Sequence, residues 1–323
     1  MELILGVDIG GTYTKYGAID NEGDLLFQGR IPTREADNFA DFTIAFAEEI
    51  DKRLSSFSCH LKGIGVGSPM GSPLTGRITG AVNLEEVWSL DVPLVEVFEQ
   101  QFKVPTFLMN DSNAAAVGEK YYGLAKPYQD FLVLTLGTGL GCGIYSDGSL
   151  LIGRSGAAGE VGHTTVVPDG RDCNCGRKGC LETYVSATGL VRTANELIEA
   201  GYASDAHVKY DNAESISLAA TAGDPLAQET FKVTGKHLGN ALADLSAIFD
   251  PEAIILAGGL SNAGDLLLDP VKETFEDQLL QSLKGTIDLW TSDSKFKNKA
   301  VLGAASYARE KLSSPELELV EEL

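Results

Sequence analysis

Two stretches of this chain, 126 positions apart, repeat one pattern, and that repeat restricts the possible folds more than any other feature. Residues 3–7 form an apolar strand that runs into Asp8-Ile9-Gly10-Gly11-Thr12; residues 13–19 read as a second strand and Asp20-Asn21-Glu22-Gly23 as a turn. Residues 131–136, Gly137-Thr138-Gly139, residues 140–145 and Ser146-Asp147-Gly148 run through the same succession. Gly11-Thr12 aligns with Gly137-Thr138 and Gly17 with Gly143. After one single-residue gap, Leu25-Leu26-Phe27-Gln28-Gly29-Arg30 aligns with Leu150-Leu151-Ile152 and then Gly153-Arg154. An interval this long is the size of a domain, so the pattern predicts a duplicated α/β fold rather than a solenoid. One glycine-rich hairpin is ordinarily only a tight turn. A pair of them suits a polyphosphate, because bare backbone can approach closely and offer N–H groups, with Thr12, Thr138 and Lys15 adding donors. No G-x-x-x-x-G-K-[ST] motif is present, which excludes a P-loop.

Between the copies, Phe39, Phe42, Phe46, Ile50 and Leu54 recur at helical spacing behind Asp37 or Asn38 as the cap, which predicts a helix over 38–54 with these side chains in the core. A short strand is expected over 63–67, a Gly/Pro-rich loop over 68–76 and a helix opened by Pro93 and reaching about Phe102. A strand over 104–109 then leads through Asn110-Asp111 into a helix over 113–123. The second half predicts helices over 189–200, 213–222 and 225–249, then a strand over 253–257 meeting Gly258-Gly259-Leu260-Ser261. A helix through Leu283, a strand near 287–290 and an amphipathic helix over 300–312 follow, and the acidic tail from Ser313 is expected to fray.

The segment G-E-V-G-H-T-T-V-V-P-D-G-R-D-C-N-C-G-R-K-G-C-L-E, residues 159–182, gathers three cysteines, a histidine and two glutamates in a glycine-broken loop. Cys173, Cys175 and Cys180 have C-x-C-x4-C spacing and His163 lies ten positions before the first; three thiolates and an imidazole make a closed tetrahedral zinc set. Gly176 and Gly179 would let the loop double back. The alternative is a disulfide plus a free thiol, but five cysteines without an export signal point to a reducing compartment. A four-ligand ion has no open position, so its role would be structural. It would fix Glu160 and Glu182, which singly would be solvated surface residues. Both glycine hairpins lie outside this segment and are expected to be independent of it. Cys59 and Cys142 fit no ligand spacing and read as buried small hydrophobes.

Asp111 stands at a strand-to-helix junction, where α/β sheets commonly place working residues. Capping is the ordinary role for an Asp there, but Ser112 is also placed to cap. A helix N-terminus favours a carboxylate, which suits an acceptor for a hydroxyl proton. A net charge of −21 opposes general nucleic-acid binding. No apolar run approaches the roughly 18 residues of a membrane span, so a cytoplasmic protein with no membrane partner is expected.

Asp8-x-Gly10-Gly11-Thr12, Asn110-Asp111-x-Asn113-Ala114, Gly159-Glu160-x-Gly162-His163 and Cys173-x-Cys175-Gly176-x-x-Gly179-Cys180-Leu181-Glu182, in this order, resemble the ROK family of bacterial sugar kinases and repressors. The first motif is shared with the wider sugar kinase, actin and heat-shock ATPase group, and the last two are far more specific. The resemblance implies two ribonuclease-H-like (actin-like ATPase) domains around a hinge cleft with a zinc-bearing loop. A small domain would span 1–112 and be completed by the helix at 300–323, and a large one would span 113–299. It implies ATP, Mg²⁺, structural Zn²⁺ and a homodimer. By position, Asp111 resembles the base that accepts the proton of a hexose 6-hydroxyl. Asn83, Asn110, Asp111, Glu160, His163 and Glu182 would bind the sugar, with His163 facing sugar and zinc through its two ring nitrogens. Asp8, Gly10, Gly11, Thr12, Lys15, Thr138 and Gly139 would face the phosphates, and Gly258 and Gly259 the adenosine. Met70, after Pro69, stands where the family often has glycine. The activity expected is phosphorylation of a hexose, first glucose, with an N-acetylhexosamine or fructose as the alternative. A ROK-type repressor is the distant one, because only seven residues precede Asp8.

Overall fold

The structure, a computed structural model, describes residues 1–81, 84, 88–202, 210–292 and 298–313. Its contacts divide the chain into two compact units: residues 1–127, 152–158 and 294–323 form one, and residues 128–151 and 159–293 the other. No helix among the described residues is long and apolar enough to cross a membrane.

The first unit is built on strands β1 (Glu2–Ile9), β2 (Tyr13–Ile19), β3 (Leu25–Pro32) and β4 (His60–Ser68), with helix α1 (Phe39–Phe57) between the last two. The Gly/Pro-rich stretch expected as a loop over 68–76 contributes β5 (Gly71–Ser72), which joins β6 (Arg77–Thr79), just beyond that stretch, and β7 (Asp91–Val92) in a three-stranded sheet. Helix α2 (Leu94–Phe102), β8 (Thr106–Asn110) and α3 (Asp111–Tyr122) complete the continuous part. The main sheet runs β3-β2-β1-β4-β8, antiparallel in the first three strands and parallel from β1 onward.

Alternation along β1 decides what covers each face. Leu3, Leu5 and Val7 join Phe42, Phe46, Ile50 and Phe98 in one core, whereas Ile4 belongs to a second cluster with Leu302, Ala305 and Ala308. Helix α1 starts where Asn38 accepts a hydrogen bond from the Asp41 N–H, and its Phe39, Phe42, Phe46 and Ile50 are buried at the spacing the sequence predicts. The last described helix of the chain, which sits on the second cluster, approaches the sheet so closely that a Cβ on Gly65 would lie 1.8 Å from the Ala304 carbonyl oxygen and one on Gly6 2.0 Å from that of Val301. Backbone cannot yield as a flexible side chain can, so Gly65→Ala should destabilise the fold by about 3 kcal/mol, read as a lower urea midpoint at unchanged slope.

The second unit repeats the plan. Strands β9 (Phe131–Leu136), β10 (Leu140–Ser146), β11 (Ser149–Leu150), β12 (Ala253–Ala257) and β13 (Asp288–Thr291) are ordered β11-β10-β9-β12-β13, again antiparallel through the first three and parallel from β9 onward. The repeat seen in the sequence is therefore a repeat of sheet topology. Short helix α4 (Glu182–Val185) leads directly into α5 (Ala187–Glu199), followed by α6 (Ala213–Thr221) and α7 (Pro225–Phe249). In place of one helix through Leu283, a 3-10 turn over Gly259–Ala263 precedes α8 (Asp265–Gln278). Buried leucines and isoleucines of β9 and β12 pack with Leu238, Leu242 and Phe275 in the core of this unit. The helix that closes the first unit is α9 (Lys299–Leu312).

Candidate active site

In the first unit the predicted residues collect at one sheet edge. Strands β1, β4 and β8 are parallel, and their register sets Asp8 beside Gly67, and Gly67 and Ser68 beside Met109 and Asn110. The carboxyl ends of three adjacent strands thus carry Asp8, Ser68 and the Asn110-Asp111 pair, which is where open α/β sheets bind ligands. The tip of the β1–β2 hairpin belongs to the same edge: the Gly10 N–H donates to the Tyr13 carbonyl, and the Thr33 N–H to that of Thr12. Lys15 faces Asp8 across the hairpin, with Nζ 3.9 Å from Oδ2. Burial pushes the Asp8 carboxyl above its usual range, and Lys15 offsets part of that rise.

Capping at α3 differs from the expectation. Asn110 is the N-cap, its Oδ1 accepting from the Ser112 N–H at 2.9 Å and from Ser112 Oγ at 2.6 Å. Asp111 is the first helical residue, and its Oδ1 also accepts from the Ser112 N–H, at 2.8 Å. With Asn110 doing the capping, the Asp111 carboxylate is held at the positive end of the helix without being the cap. Met70 has a left-handed backbone (φ 56) and is about half exposed, a conformation uncommon for a long side chain. Asn83 lies outside the described residues.

In the second unit the cysteine loop is built on β10. Gly159 and Gly162 allow a close approach, since a Cβ on the first would meet the Cys142 carbonyl oxygen at 2.3 Å and one on the second that of Leu140 at 2.6 Å. The 3-10 turn Val161–His163 follows, and the returning limb pairs with it: the Leu181 N–H donates to the Thr164 carbonyl and the Val166 N–H to that of Gly179. Gly176 and Gly179 both have positive φ, as the doubling-back requires. All five cysteines are free thiols. Cys142 is buried as expected, whereas Cys59 is only half-buried and lies 3.2 Å from the Phe57 carbonyl. Burial, then the nearby Glu160 carboxylate, push the Cys142 thiol up to about 12, which removes it as a nucleophile.

His163 and the three loop cysteines converge. Their four candidate ligand atoms lie within 4.8 Å of one another. Cys173 Sγ is 3.7 Å from His163 Nδ1, and Cys175 Sγ is 3.7 Å from Cys180 Sγ. A tetrahedral zinc ion with bonds of about 2.3 Å to sulfur and about 2.0 Å to nitrogen separates its ligands by roughly 3.5–3.8 Å, so the donor set fits that ion in kind, and the two 3.7 Å separations lie in that range. The other imidazole nitrogen turns away from the thiols: His163 Nε2 lies 3.9 Å from Glu160 Oε2.

Glu182, expected to be fixed by the metal loop, also reaches the second hairpin. As the first residue of α4, it accepts a hydrogen bond from the Leu140 N–H at 2.8 Å through Oε2, against the bare Gly139 backbone, where a Cβ would stand 2.5 Å away. The hairpin tip is also held by the start of α5: the Ala187 N–H donates to the Gly137 carbonyl and Thr188 Oγ1 to that of Thr138. Gly258 and Gly259 follow β12 at the same carboxyl edge, Ala257 standing beside Thr135 of β9.

One residue of this region has no signature in the sequence beyond its place in the loop. The Arg171 side chain is almost wholly buried, donates to the Thr183 and Gly189 carbonyls, Thr193 and Glu196, and lies 4.3 Å over the Tyr184 ring. It anchors the cysteine loop to α4 and α5.

The ROK family profile matches residues 4–311. The chain is 40% identical over 282 residues, 84% of each chain, to the glucokinase of Halalkalibacterium halodurans. Its fold is similar to that of a ROK family glucokinase from Streptomyces griseus crystallised with glucose and AMPPNP, with a TM-score of 0.74 and 33% identity over 95% of this chain and 99% of that one. It is also similar to a ROK family transcriptional regulator, a homologue of the Escherichia coli MLC protein, with a TM-score of 0.84 and 26% identity over 96% of this chain and 78% of that one. Fold alone therefore does not separate kinase from regulator. With the four motifs in order, each seated where the two sheets place it, the chain belongs to the ROK family.

Proposed function

We propose that this protein is an ATP-dependent hexose kinase that phosphorylates glucose at the 6-hydroxyl. The observation that carries the catalytic part is Asp111, held at the N-terminus of α3 on the sheet edge that also carries Asp8. A carboxylate fixed there accepts the hydroxyl proton while the sugar oxygen attacks the γ-phosphorus and the bond to the bridging oxygen of the leaving ADP breaks. Mg²⁺ enters with ATP and neutralises phosphate charge. Catalysis is then mainly positioning and charge stabilisation.

In this reading Asn83, Asn110, Glu160, His163 and Glu182 bind sugar hydroxyls; Oδ1 of Asn110 is committed to the cap, which leaves its amide nitrogen to donate to the sugar. Asp8, Gly10, Gly11, Thr12, Lys15, Thr138 and Gly139 serve the phosphates, and Gly258 and Gly259 the adenosine. His163, Cys173, Cys175 and Cys180 hold zinc, which orders the loop and takes no part in the chemistry. The common sheet order supports reading each unit as a ribonuclease-H-like domain. A homodimer is part of the same proposal.

Thr12 and Thr138 are both exposed at their hairpin tips. Replacing either with Val should weaken ATP binding about tenfold while leaving binary glucose binding nearly unchanged, as calorimetry would register. Lost glucose affinity with normal nucleotide affinity would reverse the assignment of the hairpins. Phosphorus NMR of the product made from glucose and ATP should show a phosphate on carbon 6, and a phosphate elsewhere would refute the proposed reaction.

A further inference from the structure

We infer that Glu182 is a positioning residue for the nucleotide: its carboxylate ties the hairpin at Gly137-Thr138-Gly139 to the end of the cysteine loop, so loop order and phosphate binding are coupled. The inference rests on the kinase reading above. Glu182 follows Cys180 by two residues and spans 42 positions to reach the Leu140 N–H at 2.8 Å. Leu140 is 6% exposed, so without this acceptor its N–H would be left buried and unsatisfied.

The contact does not stand alone. All three residues of the tip are held from one stretch, since Gly137 and Thr138 accept from Ala187 and Thr188, and Gly139 has the Glu182 carboxylate against its bare Cα. That stretch is tied to the loop by the Thr183 N–H donating to the Cys180 carbonyl and by Arg171, which reaches the Thr183 carbonyl, Gly189 and Glu196. A loop that loses its order loses the register of α4, and the hairpin amides lose the geometry in which they meet a phosphate. The carboxylate holds the hairpin through Oε2, and a sugar hydroxyl would meet the same group. One side chain would then feel both substrates, the arrangement that makes two ligands bind cooperatively.

Glu182→Gln and Glu182→Ala separate the roles. Each is compared with wild type by calorimetry for a non-hydrolysable ATP analogue with Mg²⁺ and, separately, for glucose, with zinc content measured throughout. Glutamine keeps an acceptor for the Leu140 N–H but not the charge, so it should bind nucleotide within about twofold of wild type while binding glucose at least tenfold more weakly. Alanine should weaken the analogue about tenfold and speed hydrogen exchange of the Leu140 amide, at unchanged zinc content. Wild-type protein that binds no analogue would overturn the kinase reading itself. Wild-type binding with equal analogue affinity and equal Leu140 exchange in Glu182→Ala would overturn only the coupling.

Discussion

Asp111→Asn is expected to lower turnover by about 10²-fold or more while leaving the fold and glucose affinity nearly intact. An amide has almost the same shape, and it can still accept the hydrogen bond that the Ser112 N–H donates to Asp111 Oδ1 at 2.8 Å, so α3 should start where it does now. What the amide lacks is the capacity to take up a proton. The loss should therefore appear in kcat, with KM for glucose within about threefold, because ground-state contacts survive. Steady-state kinetics with calorimetric glucose binding on the same preparation checks this. Equal turnover would remove Asp111 from the chemistry, and lost glucose binding would make it a binding residue only.

The second large effect is expected from the metal. Cys175→Ala removes a donor whose sulfur lies 3.7 Å from Cys180 Sγ, and the remaining donors cannot close a tetrahedral set. The loop has few apolar side chains with which to order its glycines, so metal binding supplies the ordering free energy. Without it, His163 loses the orientation that sets Nε2 toward Glu160, and glucose affinity should fall at least 100-fold. Nucleotide affinity should fall too, by about tenfold, because the segment that supports the second hairpin begins immediately after Cys180. This departs from the expectation, drawn from sequence alone, that both hairpins are independent of the loop. Elemental analysis should give about one zinc per chain in wild type. Normal glucose affinity in metal-free protein would refute the structural role.

What the sequence made legible was mostly local. The helix behind Asn38 could be read because cap and apolar spacing agree, and residues 13–19, 225–249 and 253–257 were bounded correctly because glycine, proline or a charged turn flanks each. The repeat was visible because strand-turn-strand units keep their pattern even where the third strand has shrunk to Ser149–Leu150. Of the candidate site, the convergence of His163 with the three cysteines followed from spacing and is present in the fold.

Features that depend on distant partners were missed. Strands β5 and β6, two and three residues long in and just after a Gly/Pro-rich stretch, pair only because neighbours hold them, and no periodicity announces them. The sequence offers Asp111 and Ser112 as caps of α3, and the cap is Asn110, because all three side chains are competent and the extended backbone at Asn110, with its acceptor on the Ser112 N–H, decides. Arg171 gives no local signal, since its partners lie 12 to 25 residues away. The reach of Glu182 to Leu140 is likewise a product of the fold.

ADP release decides between a glucokinase and a sugar-sensing regulator on the same fold. Glucose, N-acetylglucosamine, N-acetylmannosamine and fructose would each be supplied with ATP and Mg²⁺ in a coupled assay. ADP should form in step with glucose 6-phosphate, with a kcat/KM for glucose above that for the other three sugars. Glucose binding without ADP release from any hexose, or a higher kcat/KM for an N-acetylhexosamine, would contradict it.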